Sequence, residues 1–141
     1  NTMKKERTFL MIKPERVERG KIGEILERFE RDGFRIVELK LATLSRELAE
    51  KQYEEYRGND FFDDLVSYMS SAPTVSIVME GENVIAAARE MAGVTDPKRA
   101  KPGTIRADYG IDVQRNAIHA SDSEKSAKRE ISIHFGTLLN H

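Results

Sequence analysis

TFLMIKPERVERGKIGEILERFERDGF, residues 8–34, changes its apolar period partway along. Thr8–Lys13 is a short continuous apolar run, which reads as a buried strand. Between Lys21 and Asp32 the apolar residues Ile22, Ile25, Leu26 and Phe29 recur at i, i+3, i+4 and i+7, one face of a helix. Glu24/Arg28 and Glu27/Arg31 stand four apart on its outer side, and Gly33 follows where a C-terminal cap belongs. Phe34–Ala42 then reads as a second strand. The chain therefore opens as strand, helix, strand.

Outward from this unit, Ser45–Tyr56 and Phe61–Ser70 read as two short helices around the turn-like Arg57-Gly58-Asn59-Asp60. Thr74–Met79 is a third strand, and Asn83–Met91 a helix with Asn83 as its candidate cap. Thr95–Arg115 holds Pro97, Pro102, Gly103 and Gly110 without a clean period and reads as a long loop. Asn116–His119 is a short fourth strand. Ser121 to about His134 is a helix, capped by Ser121 with Glu124 in an S-x-x-E arrangement. With the helix pair set aside, the order is β-α-β-β-α-β. This predicts an α+β, ferredoxin-like (split βαβ) fold: a four-stranded antiparallel sheet with an inserted helix pair and a long loop. Such a fold hosts many activities and names none. The long loop is the first functional hint, because loops of that length in compact domains usually bind something.

A chain of 141 residues predicts one domain, placed at residues 3–141 with Asn1-Thr2 left aside. Lys and Arg (23) nearly balance Asp and Glu (24), which argues against dedicated nucleic-acid binding. No apolar run approaches the roughly 18 residues of a membrane span. The basic start Lys4-Lys5 leads only to Phe9–Ile12, which is too short for a signal peptide. Cysteine is absent, so disulfides, thiolate metal sites and cysteine nucleophiles are excluded. A cytoplasmic location is expected.

Three histidines could carry chemistry. His141 is terminal. His134, late in the last helix, suits packing or a cation at a helix C-terminus. His119 stands beside Ala120-Ser121-Asp122-Ser123 at the mouth of a helix N-terminus, a place that attracts anions. There a neutral imidazole is either a phosphoryl acceptor or a structural histidine. Lys13, Arg89 and the loop residues Lys98, Arg99, Lys101, Arg106 and Arg115 are either surface charges or a phosphate clamp. G-x-x-x-x-G-K-[ST], G-x-G-x-x-G after a strand and the protein-kinase catalytic loop are all missing, so any nucleotide is held without a glycine cradle. Phe61 and Phe62 either pack in the core or offer one ring to a base.

The run Asn116-Ala117-Ile118-His119-Ala120-Ser121-Asp122-Ser123 resembles the nucleoside diphosphate kinase signature N-x-x-H-[GA]-S-D-S. Ile12-Lys13-Pro14, Arg28-Phe29, Phe61-Phe62, Met79-Glu80-Gly81-Glu82-Asn83, Thr95-Asp96-Pro97, Lys101-Pro102-Gly103-Thr104-Ile105-Arg106 and Arg129-Glu130-Ile131 follow the family in order and spacing. The resemblance covers nearly the whole chain. It implies phosphoryl transfer from a nucleoside triphosphate to a nucleoside diphosphate by a ping-pong route through phosphorylated His119. It implies that Lys13, Arg89, Thr95, Arg106 and Asn116 hold phosphates and ribose, that Phe61 stacks the base with Val113 on its other face, and that Tyr53, Ser121 and Glu130 support the site. The loop would cover the nucleotide. ATP, GTP and other nucleotides would be substrates, Mg2+ would be held mainly through their phosphates, and the protein would be a homo-oligomer, tetramer or hexamer, away from membranes.

The chain departs from the family pattern at Glu15-Arg16 after Lys13-Pro14, where a large Arg16 replaces a small residue, and at Asp60, Ala72 and Gln114. Two rivals remain in view. One is an inactive relative, which would have lost the histidine or the phosphate ligands. The other is an RNA-binding module on the same sheet type, which would need aromatic strand motifs that are absent.

Overall fold

The computed structural model describes residues 4–136. His141 lies outside them. Four strands, β1 (Lys5–Ile12), β2 (Arg35–Thr43), β3 (Pro73–Glu82) and β4 (Ile118–Ala120), form one antiparallel sheet in the order β2-β3-β1-β4. Seven α-helices surround it: α1 (Pro14–Arg19), α2 (Ile22–Arg31), α3 (Arg46–Gln52), α4 (Phe62–Met69), α5 (Val84–Ala92), α6 (Ile105–Tyr109) and α7 (Glu124–Phe135). The split βαβ architecture is the one expected, with α3 and α4 as the inserted pair.

Side chains alternate across β1 with the strand period of two. Leu10 and Ile12 enter a core with Ile25 and Phe29 of α2, Ile77 and Met79 of β3, and Val84 and Ala88 of α5. Phe9 and Met11 enter a second core with Ala49 of α3, Leu65, Val66 and Met69 of α4, Val78, and Ile131 of α7. Helices thus cover β1 and β3 on both faces. This removes the open sheet face that an RNA-binding module would need.

The structure adds two short helices. Pro14 occupies the first turn of α1, where its missing N–H costs nothing and its fixed φ suits the helix. Six residues are too few to display a period. Helix α6, only five residues, sits inside the stretch read as a bare loop; its Thr104 side chain caps Ala107 N at 3.3 Å. Three further expectations fail locally. Ser45–Tyr56 is α3 followed by a single 3-10 turn, Glu54–Tyr56. Helix α7 begins later than expected and is capped by Ser123, which accepts from Ser126 N at 3.0 Å, and not by Ser121. Asn83 adopts a left-handed conformation (φ 53°) and makes no side-chain cap.

Of the two expected pairs along α2, Arg31–Glu27 forms at 3.4 Å. Arg28 instead leaves its own helix and reaches Asp108 of α6 at 2.8 Å. Register places His119 opposite Met11. Directly opposed residues share a face, so the His119 imidazole stands on the α3–α4–α7 side, near Phe9 (ring centroids 6.1 Å apart).

Candidate active site

A cleft of about 530 Å3 opens where β1, β4, α3, α4, α5, α7 and the 95–116 segment converge. Lys13, Tyr53, Phe61, Arg89, Thr95, Arg106, Val113, Asn116, His119 and Glu130 all line it. The loop cations Lys98, Arg99, Lys101 and Arg115 do not line it, and of the residues that the resemblance implies for the site, Ser121 alone stands behind the wall. It is fully buried and does its work through Glu130.

His119 Nε2 lies 2.8 Å from Glu130 Oε1, and Ser121 Oγ donates to that same oxygen at 2.6 Å. Burial acts to raise the Glu130 carboxyl, but hydrogen bonds from His119 and Ser121 and the charge of His119 outweigh it and hold the group below the usual carboxylate range. An ionised carboxylate only accepts, so Nε2 carries a proton, and in the neutral imidazole Nδ1 is the nitrogen left with the lone pair. The His119 side chain retains 21% of its surface exposure, against 6% for Glu130. The ring is reachable from the cleft while its anchor is not. The backbone next to it is strained: Ala117 has φ 78°, in the left-handed region. Glu15 holds that residue by accepting from Ala117 N at 3.1 Å, and it also pairs with the Tyr68 hydroxyl.

The cleft cations are tied to main-chain carbonyls. Lys13 Nζ donates to Gln114 O at 3.1 Å, and Arg89 to Ala120 O at 3.1 Å. Arg106 donates to Gly93 O and Ile118 O, both at 2.8 Å. Carbonyls orient these groups without neutralising them. Burial, then the charge of Arg106, lowers Lys13 to about 8; burial, then Arg89, lowers Arg106 to about 10. Both shifts mark uncompensated positive charge, which an anionic ligand would relieve.

Asn116 donates to Thr95 O (2.9 Å) and Val113 O (3.0 Å), and its Oδ1 is buried without a partner. The Tyr53 hydroxyl is likewise buried and unpartnered, and burial pushes its pKa well above the usual tyrosine range. At the mouth, Phe61 (47% exposed) and Val113 (57% exposed) offer apolar surface. Among the described residues no group of three or more His, Asp or Glu side chains could hold a metal ion.

The sequence reading missed Gln52, which joins two histidines. His134 Nε2 donates to Gln52 Oε1 at 2.7 Å, and the Gln52 amide nitrogen lies 3.4 Å from His119 Nε2. No motif marks a lone glutamine, although its position just before Tyr53 was a signal. His134 is buried and stacks on Phe9, with ring centroids 4.7 Å apart and planes within 8°. The expectation of packing holds for it. The alternative, a helix-end cation, does not: burial and then the charge of Lys40 lower its pKa to about 4.

Comparison with known proteins agrees with this geometry. The family described as nucleoside diphosphate kinase matches residues 6–138. A nucleoside diphosphate kinase of Pelotomaculum thermopropionicum is 58% identical over 130 residues, covering 92% of this chain and 87% of the relative. One from Saccharolobus islandicus is 53% identical, covering 92% and 94%. Among solved structures, the Aquifex aeolicus nucleoside diphosphate kinase superposes with a TM-score of 0.92 at 43% identity, covering 96% of this chain and 98% of its own. The Halobacterium salinarum enzyme, in complex with CDP, gives 0.91 at 43% identity, covering 94% and 88%.

His134 makes stability depend on pH. Its folded pKa (about 4) lies below the ordinary 6.5, so between these values the unfolded chain binds more protons. Stability should therefore fall as pH drops from 6.5 toward 4, by roughly 3 kcal/mol from this group. Urea midpoints across that range test it. His134→Gln should flatten the slope, and an unchanged slope in that variant would remove His134 as its source.

Proposed function

The chain belongs to the nucleoside diphosphate kinase family, and from that premise we propose which of its residues perform the reaction. The enzyme transfers the terminal phosphoryl group of a nucleoside triphosphate to a nucleoside diphosphate, through a phosphohistidine and with magnesium. We assign the phosphohistidine to His119. The observation that carries this is the Glu130 contact, which consumes the Nε2 proton and leaves Nδ1 nucleophilic in a cleft walled by cations.

In the first half-reaction the Nδ1 lone pair attacks the terminal phosphorus. An N–P bond forms, and the bond from that phosphorus to the bridging oxygen breaks. The nucleoside diphosphate leaves with the electron pair. Glu130 steadies the positive charge that the ring acquires. Lys13, Arg89 and Arg106 take the charge on the phosphate oxygens, as phosphoryl transfer requires. The unpartnered Oδ1 of Asn116 suits a ribose hydroxyl, and Thr95 adds a hydroxyl of its own to the wall. Phe61 and Val113 flank the base, which is gripped by its faces, so base selectivity is weak. The second half-reaction reverses these events with another diphosphate. Magnesium would be held mainly through the nucleotide phosphates and would supply charge screening there. Residues 3–141 act as one catalytic domain.

Two finer readings complete the proposal. The first is a cytoplasmic location, beside the nucleotide pool, which cell fractionation tests. No helix among the described residues is long and apolar enough to cross a membrane. The second is a homo-oligomer, tetramer or hexamer. Its support is β2, an edge strand that leaves Leu39 (43%) and Leu41 (58%) exposed. Light scattering should give a multiple of the chain mass; a monomer at micromolar concentration would remove this reading.

Mixed with magnesium and nucleoside triphosphate alone, the protein should gain the mass of one phosphoryl group. That group should be acid-labile and base-stable, as an N–P bond is. His119→Ala should lose the modification and lower exchange by several orders of magnitude while still binding nucleotide, because the cations are untouched. Phosphate mapping to Ser121 or Ser123, or normal turnover by the variant, would overturn the assignment.

Nucleotide binding should also take up a proton just above pH 8. Lys13 is about half neutral there in the free protein, and phosphate favours its charged form. Affinity should accordingly decline as pH rises past that point. Calorimetry in two buffers of different ionisation heat reads the uptake, and the same observed heat in both buffers would exclude it.

A further inference from the structure

We propose that Arg16 is a positioning residue for the reaction: it fastens α6, and with it Arg106, to α1, so that the phosphate end of the cleft is assembled before nucleotide arrives. The inference rests on the reading of the cleft as a nucleotide site.

Arg16 is only 8% exposed although its charge is permanent. It forms no ion pair among the described residues. One end of its guanidinium donates to Gly20 O at 3.4 Å, closing the end of its own helix. The other donates to Tyr109 O at 3.2 Å, at the last residue of α6. Its guanidinium carbon lies 5.1 Å from the centre of the Tyr109 ring, within cation–π range. A flat, forked cation can bridge two carbonyls and lie over a ring at once, which a lysine ammonium cannot. Arg16 does not line the cleft, and so acts on substrate only through what it holds.

What it holds is short and stiff. Helix α6 is a little over one turn long, and Gly110 N donates back to Arg106 O at 2.8 Å. A Cβ at Gly110 would stand 2.6 Å from both Arg106 O and Pro97 Cγ, so this turn is closely packed. A shift of Tyr109 therefore passes to Arg106 with little slack.

Helix α1 and its N-cap Lys13 grip the 95–116 segment and Ala117 at other points too. Lys13 N donates to Ala117 O at 2.9 Å, Lys13 Nζ donates to Gln114 O, and Glu15 accepts from Ala117 N. Arg16 extends that hold to residue 109. From the next helix Arg28 joins it, donating to Gly103 O (3.2 Å) and Asp108 (2.8 Å) with its guanidinium 4.9 Å from the Tyr109 ring centre.

The test compares the unmodified protein with Arg16→Ala and Arg16→Lys in ADP binding, turnover at saturating nucleotide, and backbone hydrogen exchange. If Arg16 preorganises the site, Arg16→Ala should raise the ADP Kd about tenfold, as when the binding-competent state becomes a minority. It should change saturated kcat less than about twofold, since closure by bound nucleotide restores Arg106. Exchange should quicken at residues 105–110 and stay unchanged in β1 and β3. Arg16→Lys should fall between the two proteins. A Kd within twofold of the unmodified value, or exchange that quickens equally across the sheet, would overturn the proposal. So would a loss of kcat with Kd intact. If Arg16→Ala does not fold, Arg16→Lys and Arg16→Gln decide by the same criteria. Phosphorylation of His119 in the unmodified protein is measured alongside. Its absence would refute the nucleotide reading itself, whereas its presence with an unaltered Kd in the variants would refute only the role of Arg16.

Discussion

A single carboxylate oxygen, Oε1 of Glu130, accepts two hydrogen bonds, one from His119 Nε2–H and one from the Ser121 hydroxyl. Much of the fold can be understood as meeting that demand. The imidazole comes from a strand of three residues, and the carboxylate from the second turn of α7. Between them lies a tight connection that must bring the two within 2.8 Å. Pairing of β4 with β1 fixes the ring, since a slip of one residue would turn His119 to the opposite face. Capping by Ser123 rather than Ser121 fixes where α7 begins and frees the Ser121 hydroxyl for Glu130. The carboxylate is buried, so its position is held by the core, while the ring it aims remains accessible.

Around that anchor the protein tolerates arrangements that oppose stability. Lys13, Arg89 and Arg106 crowd together on carbonyl partners, and the Tyr53 hydroxyl, Asn116 Oδ1 and Arg106 Nε are buried without partners. An unpaired buried polar group costs on the order of 1–3 kcal/mol. These orphans border one cleft. A ligand that brings phosphate oxygens and ribose hydroxyls there would satisfy groups that the protein leaves unsatisfied. The two well-packed cores on either side of the sheet offset the cost.

The strands and most helices were legible because they follow from period: the run Phe9–Ile12 and the TVSIVM strand are buried, and the Ile22–Phe29 face turns to the core. The place of His119 beside Ser121 was legible from an eight-residue signature and that of Glu130 from the resemblance it carries, and the roles proposed for them come from that resemblance. What escaped lacks a period or a motif. Helices α1 and α6 have six and five residues, too short to repeat an apolar position. Gln52 and His134 meet across the fold, 82 positions apart in the chain, and nothing local marks either as a partner. Arg28 fits an i, i+4 pair on paper; a stronger set of acceptors on α6 takes it instead. Nothing in the structure explains Ala72.

Glu15 and Arg16 show how departures from a family pattern can be absorbed. A small residue after Lys13-Pro14 would leave α1 attached to the covering segment through Lys13 and residue 15. Here the longer Glu15 carboxylate spans from the Tyr68 hydroxyl to Ala117 N, and Arg16 spans from Gly20 to Tyr109. Both act on stretches of backbone that flank proposed phosphate ligands. Neither enters the cleft, so neither competes with a nucleotide for space. The two ends of the ligand face different constraints in turn. At the proposed phosphate end, charged groups must sit within about 0.5 Å of the productive geometry, and there the added ties accumulate. At the base end, Phe61 and Val113 stand exposed at the rim, where stacking accepts any ring of roughly the right size. A site rigid at one end and permissive at the other suits an enzyme whose substrates differ in base and share a di- or triphosphate tail.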